Sequence, residues 1–225
     1  MPTLPETKKR RVVVVEDHPM FREQLRLLID KEDDLEVCGE ADNVPAALAL
    51  IQRLQPDLAV VDITLKNSGG LDLLKDLRVH EIDLPVLVLS MHAESLYAER
   101  ALRAGARGYI TKQEASAKVM IAIRQVLSGD IYLDAQVMRR MVGKVVGQSE
   151  RNGATMDRLT DRELEVFELI GEGRTTREIG SRLSVGATTV DTYRARIKEK
   201  LGLANAAQLH AEASRWLAAR TVSAH

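Results

Sequence analysis

The sequence predicts two domains, an α/β domain with a five-stranded parallel sheet followed by a small all-α domain of four helices. Over residues 10–128, five short apolar strands alternate with amphipathic helices. This alternation is typical of a parallel, doubly wound sheet covered by helices on both faces. Residues 155–221 carry no strand signal and show helical spacing instead. The 225 residues suffice for two domains of this size.

The elements of the first domain follow from the periodicity of the apolar residues. The predicted strands are Val12–Val15, Leu35–Ala41, Leu58–Val61, Pro85–Leu89 and Gly108–Ile110. The predicted helices are His18–Lys31, Val44–Leu54 with Asn43 as its N-cap, a helix ending near His80, Glu94–Ala104 and Ala115–Leu127.

Residues 129–154 differ in composition from the segments on either side. They are polar and contain Gly, Ser and Asn, which predicts a linker, although Ala135–Val146 has helical spacing. Thr160 and Glu163 then form a capping-box pattern, which marks the start of a helix. The predicted helices of the second domain are Asp161–Gly171, Thr176–Leu183, Ala187–Leu201 and Asn205–Ala219.

Composition and charge exclude several classes of protein. Hydrophobic residues make up 45% of the chain and charged residues 29%, which is typical of soluble proteins. Because no apolar run approaches the roughly 20 residues of a membrane span, we expect a cytoplasmic protein without membrane contact. The single cysteine, Cys38, excludes an internal disulfide. Residues 188–201 hold four basic and two acidic side chains, so any nucleic-acid contact is expected there.

Polar side chains follow four of the predicted strands. Because the carboxyl ends of parallel strands meet at one edge of the sheet, we expect these side chains to lie together: Glu16, Asp17, Asp62, Ser90 and Lys112. Three neighbouring carboxylates repel one another unless a cation is present, and oxygen ligands suit Mg²⁺, with Mn²⁺ as the alternative. A lysine and a hydroxyl beside them suit a phosphoryl group. The set therefore predicts a metal-assisted phosphoryl site with a carboxylate nucleophile.

Residues 10–128 resemble the receiver domain of two-component response regulators. The resemblance is carried by VVVVED at 12–17, by Val60–Asp62, by Leu87–Ser90 and by YITK at 109–112. It implies a flavodoxin-like fold, phosphorylation by a sensor histidine kinase, and no enzymatic activity beyond gain and loss of the chain's own phosphoryl group. It implies these roles: Asp62 as phospho-acceptor, Lys112 as partner of the acyl phosphate, Ser90 and Tyr109 as switch residues, and Asp17, Asp62, the backbone carbonyl of Thr64 and, through water, Glu16 as metal ligands.

Two departures from the family pattern bear on this site. Gln113 stands where relatives have a proline after a cis bond, and a cis bond before a non-proline residue costs roughly 3–4 kcal/mol. The bond at Lys112–Gln113 is therefore either cis at that cost or trans with Lys112 tilted. The loop Leu65-Lys66-Asn67 replaces the usual Met-Pro-Gly. Both departures leave the reactive residues in place.

The predicted helix Ala187–Leu201 places apolar residues on one face, with Val190, Tyr193, Ile197 and Leu201 at spacings of three and four. Residues 159–203 read LTDRELEVFELIGEGRTTREIGSRLSVGATTVDTYRARIKEKLGL. Through this run, residues 157–220 resemble the C-terminal domain of the NarL/FixJ (LuxR-type) family, in which this helix enters the major groove of DNA. The resemblance implies base contacts from Asp191, Thr192 and Ala195, phosphate contacts from Arg194, Arg196 and Lys198, and further contacts from Thr188 and Thr189 in the first turn. It also implies a homodimer on promoter half-sites, at least when phosphorylated or on DNA.

Three alternatives remain at this point. The altered residues near Lys112 and Asp62 are compatible with a constitutive DNA-binding protein whose receiver ignores phosphate. The small net charge of the second domain, from 11 basic and 10 acidic residues over 155–225, is compatible with a phosphotransfer or protein-interaction module. A nucleotide-dependent enzyme on the same fold is disfavoured because the chain lacks a glycine-rich phosphate loop.

Overall fold

The computed structural model describes residues 9–65, 68–91, 95–145, 156 and 158–222. The chain divides into two compact units at Gly143 and Lys144. Among the described residues, no helix has the length and the hydropathy needed to cross a membrane.

The first unit is built on a parallel sheet, as predicted. The strands are β1 (Arg10–Val15), β2 (Leu35–Ala41), β3 (Leu58–Asp62), the hairpin strands β4 (Thr64–Leu65) and β5 (Ser68–Gly69), β6 (Val86–Ser90) and β7 (Gly108–Thr111). Five of them lie in the order β2-β1-β3-β6-β7, and each neighbouring pair is parallel. The short antiparallel hairpin of β4 and β5, which periodicity did not predict, follows β3.

Helices cover the sheet. Helices α1 and α5 pack against each other and against apolar side chains of the strands, while α2 contacts α3 and α3 contacts α4. Strands β3 and β6 are buried along their whole length, which explains why they read as continuous apolar runs. The helices are α1 (Pro19–Asp30), α2 (Val44–Leu54), α3 (Gly70–Val79), α4 (Ser95–Ala104), α5 (Lys112–Leu127) and α6 (Ala135–Val145). Glu94 and Val146, the predicted bounds of two helices, lie outside the described residues.

In the first unit, side-chain caps fix the starts of α2 and α5. The N–H of Ala46 donates to Asn43 Oδ1 at 2.9 Å, so Asn43 caps α2 as predicted. The start of α5 was predicted at Ala115 and lies at Lys112 instead. The reason is Thr111, whose Oγ1 accepts the N–H of Glu114 at 3.3 Å and so caps the helix directly after β7.

The segment after α5 belongs to the first unit rather than to a free linker. Tyr132 pairs with Gly108 as a parallel bridge at the edge of the sheet. The N–H of Tyr109 donates to the Tyr132 carbonyl at 2.9 Å, and the N–H of Tyr132 donates to the Arg107 carbonyl at 3.0 Å. In α6, Val137 is buried. Of the predicted linker 129–154, the residues from 146 onward lie outside the described part of the chain, as does Thr155.

The second unit consists of helices packed around the first of them, α7. Its helices are α7 (Asp161–Gly171), α8 (Thr176–Arg182), α9 (Ala187–Leu201) and α10 (Ala206–Val222). The predicted capping box at α7 is present. The ring centroids of Phe167 and Trp216 lie 5.6 Å apart, so the two side chains pack α7 against α10. A Cβ atom at Gly171 would lie 2.7 Å from the Ala213 carbonyl oxygen, so glycine allows these two helices to approach closely.

Candidate functional site

The carboxyl ends of the central strands converge as the sequence predicts. Asp62 ends β3 and Ser90 ends β6, while Glu16 follows β1 and Lys112 follows β7. The side chains are buried: Glu16 and Ser90 are 0% exposed, Asp62 is 1% exposed and the Lys112 side chain 7%. Polar groups at this depth need partners, and the acidic and basic members of the set supply them for each other.

Lys112 contacts two buried carboxylates of this pocket and an aromatic ring. Its Nζ lies 2.8 Å from Asp62 Oδ2 and 2.7 Å from Glu16 Oε2. The ammonium also lies 4.8 Å from the centroid of the Phe21 ring, a distance at which a cation and an aromatic face attract. The Lys112–Gln113 bond is trans, so Lys112 contacts Asp62 without the cis bond that the family pattern implies. The departure at Gln113 therefore leaves the pocket assembled.

The backbone around Asp62 is fixed on two sides. The N–H of Thr64 donates to Asp62 Oδ1 at 3.2 Å. A Cβ atom at Gly70 would lie 1.9 Å from the Asp62 carbonyl oxygen, so only glycine fits where α3 begins. The loop Leu65-Lys66-Asn67 is described at Leu65 alone, which is fully buried and pairs with Ser68.

The pocket shifts the pKa values of Asp62 and Lys112 for different reasons. Burial, together with the neighbouring Glu16 carboxylate, raises the pKa of Asp62 to about 7, and the contacts with Lys112 and the Thr64 N–H offset only part of that rise. Burial alone would lower the pKa of Lys112, but the Asp62 and Glu16 carboxylates outweigh it and raise that pKa. Lys112 is therefore held protonated, whereas the charged form of the Asp62 carboxylate is disfavoured.

The pocket offers a set of ligand atoms for a cation. Ligand atoms of Glu16, Asp17, His18 and Asp62 all lie within 4.8 Å of one another. Asp17 Oδ1 is buried and accepts no hydrogen bond from the described residues, although His18 Nδ1 lies 2.8 Å away. A buried carboxylate oxygen without a donor fits a hard divalent cation such as Mg²⁺ or Mn²⁺.

Sequence reasoning missed His18 and Phe21 as members of this pocket. The available signal for His18 was its position directly after the Glu16-Asp17 pair. Phe21 was assigned only to the apolar face of α1, since nothing in a helical pattern shows which strand end that face will reach. Of the two switch candidates, Ser90 is fully buried and Tyr109 is 2% exposed, and they lie on the adjacent strands β6 and β7.

In the second unit, α9 presents one exposed face. Val190 and Ile197 are fully buried against the other helices, and Tyr193 and Leu201 are half-buried. The opposite face is exposed and carries six of the eight predicted DNA contacts: Thr188, Thr189, Asp191, Thr192, Ala195 and Arg196.

The other two predicted contacts, Arg194 and Lys198, are half-buried at the border of that face. Arg194 donates through one terminal nitrogen to Thr176 Oγ1 at 2.8 Å, and its other terminal nitrogen lies 3.0 Å from His210 Nε2. Thr192 donates its hydroxyl back to the Thr188 carbonyl at 2.9 Å. The structure thus places a polar helix face on the surface of the second unit, with the basic side chains of Arg194 and Lys198 at its border.

Comparison with known families matches both units. Residues 12–124 match the family of response regulator receiver domains, and residues 157–213 match the luxR family of bacterial regulatory proteins. This chain is a two-component response regulator of the LuxR-type (NarL/FixJ) family.

Relatives align with this response regulator over most of its length. It is 31% identical to the response regulator GacA of Pseudomonas aeruginosa over 199 residues, which are 88% of this chain and 92% of GacA. It is 32% identical to the DNA-binding transcriptional activator DevR/DosR of Mycobacterium tuberculosis over 86% of this chain and 88% of that protein. A two-component response regulator of the LuxR family from Aurantimonas sp. SI85-9A1 superimposes with a TM-score of 0.58 at 31% identity, over 62% of this chain and 99% of that one.

Proposed function

We propose that transfer of a phosphoryl group to Asp62 controls the binding of the second domain to promoter DNA. The observation that carries this proposal is the buried Asp62 carboxylate, which lies 2.8 Å from the Lys112 ammonium beside the Glu16 carboxylate. A carboxylate that is held in place next to a cation is suited to attack a phosphoryl donor. As a second proposal about the reaction, the chain performs no chemistry beyond gain and loss of this phosphoryl group.

The other side chains of the pocket have distinct roles in this proposal. Lys112 neutralises the phosphoryl oxygens on Asp62. Mg²⁺, or Mn²⁺ in its place, would be held by the Asp17 and Asp62 carboxylates, the Thr64 backbone carbonyl and, through water, Glu16. When bound, the ion supplies positive charge next to the transferred group. Asp17 Oδ1, which is buried and accepts no hydrogen bond from the described residues, supports this ligand set.

Ser90 and Tyr109 form the switch in this proposal. Ser90 ends β6 next to β7, where it pairs with Thr111, so its hydroxyl can donate a hydrogen bond to a phosphoryl group on the neighbouring strand end. When the Ser90 hydroxyl moves toward the phosphoryl group, the Tyr109 side chain moves inward with it. The surface formed by α4 and β7 changes as a result. A switch of this kind needs two packed arrangements whose balance is shifted by the local charge.

The partners follow from the two families. A receiver domain takes its phosphoryl group from a sensor histidine kinase, and a LuxR-type domain binds double-stranded DNA. We propose a homodimer on paired half-sites when phosphorylated or on DNA, since a second unit with few excess positive charges gains affinity from a second copy. The site of action in this proposal is the cytoplasm.

The direct test is intact-mass spectrometry after incubation with acetyl phosphate and Mg²⁺. We expect one phosphoryl adduct on the wild type and none on Asp62→Asn. Asp57→Asn serves as the matched control, because Asp57 is a half-exposed carboxylate beside the opposite end of β1 and its variant should still be phosphorylated. An adduct that persists on Asp62→Asn would refute the assignment of the acceptor. The switch is then tested by comparing the structures of the free protein and of its beryllofluoride complex. We expect the side chains of Ser90 and Tyr109 to change position between the two.

A further inference from the structure

Arg194 differs from four other basic residues of the second unit in the partners that hold it. Arg162, Arg174 and Arg215 pair with Glu165, Glu172 and Glu212, and Lys200 pairs with Glu163 at 2.6 Å. Arg194 contacts the Thr176 hydroxyl and the His210 imidazole instead. No carboxylate among the described residues pairs with it. Its positive charge is therefore fixed in position but not neutralised.

We propose that His210 positions the guanidinium of Arg194, a side chain for which the family resemblance already implies a DNA-phosphate contact. This inference rests on the proposed DNA-binding function and adds a residue from α10 to it. Because arginine has only donors, His210 must accept through Nε2 and carry its proton on Nδ1. Thr176 and His210 thus hold the guanidinium from two helices, α8 and α10, without removing its charge.

The geometry leaves the guanidinium able to bind an anion. Arginine has five N–H donors, and the two contacts with Thr176 and His210 use two of them. The remaining donors match the spacing of phosphate oxygens. A side chain that is already ordered loses less conformational freedom on binding. Arg196, which is exposed and has no hydrogen-bond or ion-pair partner in the described part of the chain, lacks that advantage.

The position of Arg194 supports a contact with the backbone of DNA rather than with bases. Asp191, Thr192 and Ala195 are exposed on the outer face of α9, and Arg194 is half-buried at the border of that face. When an α-helix lies in the major groove, its outer face meets base edges and its borders meet the phosphates. A phosphate contact at this border would fix the depth and the rotation of α9 in the groove.

The test uses the full-length phosphorylated chain and two duplex probes, one selected by the wild type from a random pool and one of random sequence. Arg194→Gln retains an amide donor for Thr176 and His210 but removes the charge. We expect it to weaken binding to both probes by roughly 3- to 10-fold and to reduce the slope of log affinity against log salt by about 1. Arg215→Ala is the matched control, because Arg215 is a surface arginine that pairs with a glutamate, and it should change neither value.

His210 is tested by a double-mutant cycle. We expect His210→Ala to weaken binding about 3-fold in the wild type and to have no effect when Arg194→Gln is already present. His210→Gln should restore affinity, because its amide oxygen can accept from Arg194. The melting temperature of each variant separates loss of binding from loss of fold.

Two results would overturn the inference. One is an unchanged affinity and salt slope in Arg194→Gln, and the other is an effect of His210→Ala that is equal in both backgrounds. If the wild type itself selects no duplex, the proposed DNA-binding function fails. If the wild type binds and Arg194→Gln binds equally well, only the inference about Arg194 and His210 fails.

Discussion

Asp62 combines two properties that oppose each other in a folded protein. It is 1% exposed, and the second carboxylate of Glu16 contacts the same lysine. Burial and like charge raise the pKa of Asp62 from an ordinary value of 3.8 to about 7. The ionised form therefore destabilises the fold until positive charge is added. For the same reason, we expect a bound cation to stabilise the ionised form of Asp62.

The pH dependence of stability follows from this pKa. Between about pH 4 and about pH 7 the folded chain binds more protons than the unfolded chain, so the free energy of unfolding falls as the pH rises. Asp62→Asn removes this loss. In EDTA at about pH 8, we expect the first unit of the variant to be more stable than the wild type by on the order of 1–3 kcal/mol. The single tryptophan, Trp216, lies in the second unit, so its fluorescence does not report on the first unit. Urea unfolding is therefore followed by circular dichroism.

Asp34→Asn is the control for this prediction, with the opposite sign. The hydrogen bond with Arg124 lowers the pKa of Asp34 against a weak effect of burial, so its contribution is present above the ordinary pKa and lost as the pH falls. Its variant should not gain stability at about pH 8. Added Mg²⁺ should reduce the advantage of Asp62→Asn. A stability difference that is the same at acid and alkaline pH would contradict the role of the Asp62 charge.

The residues of the pocket were predictable to different degrees. The clustering of Glu16, Asp62 and Lys112 follows from strand order alone, because the carboxyl ends of parallel strands meet at one edge. His18 and Phe21 belong to the start of α1, and their place over the pocket depends on how that helix packs. Periodicity shows which face of a helix is apolar but not which strand end that face reaches.

At the scale of elements, the long periodic segments were predicted closely and the short ones were not. The bounds of β2, α2, α7 and α9 were predicted as observed. The hairpin Thr64–Leu65 with Ser68–Gly69 was missed because strands of two residues show no alternation. The bridge at Tyr132 involves one residue, and the polar composition around it predicted a linker. The early start of α5 depends on a single hydroxyl, that of Thr111.

The bridge joins the last strand of the sheet to the segment after α5, and Gly108 makes it possible. A Cβ atom at Gly108 would lie 2.7 Å from Leu87 Cδ1, 3.0 Å from Val126 Cγ2 and 3.3 Å from Tyr132 Cβ. We expect Gly108→Ala to destabilise the first unit by about 1–3 kcal/mol through overpacking and to loosen Tyr132. Hydrogen exchange should be faster at the amides of Tyr109 and Tyr132, which both donate across the bridge.

Gly39→Ala is a matched control on β2, the opposite edge of the sheet. There a Cβ atom would lie 2.8 Å from Leu54 Cδ1 and 3.2 Å from Leu50 Cδ2, so the crowding is similar but remote from Tyr132. We expect Gly39→Ala to cause a comparable loss of stability, but no selective increase in the hydrogen-exchange rate of the Tyr132 amide. Selective exchange in both variants, or in neither, would show that Gly108 does not govern the bridge.

For the whole molecule, the distribution of charge sets the expected behaviour on DNA. Residues 1–128 contain 17 basic and 20 acidic residues, a net charge of −3, whereas residues 155–225 contain 11 and 10, a net charge of +1. In the proposed function, binding to DNA therefore depends on the basic side chains of α9 and on two copies acting together. One copy with few phosphate contacts should bind weakly and lose affinity as salt is added.

Phosphorylation should therefore change affinity and assembly together. With acetyl phosphate and Mg²⁺, we expect the wild type to bind a selected duplex at least about ten-fold more tightly than without them, and to sediment as a dimer on that duplex. Asp62→Asn should stay at the unphosphorylated affinity under both conditions. Equal affinity for all of these samples, measured at one fixed salt concentration, would favour a constitutive DNA-binding protein.

The pairing of Tyr132 with β7 has a consequence for solubility. Strand β7 is an outer strand of the sheet, and Tyr132 satisfies the Arg107 carbonyl and the Tyr109 N–H along its open side. A fragment that ends at Ser128, where sequence periodicity places the end of the domain, would expose these groups as a template for strands of other molecules. The receiver thus extends at least to Tyr132, and we expect the residues after α5 to protect its sheet edge from aggregation.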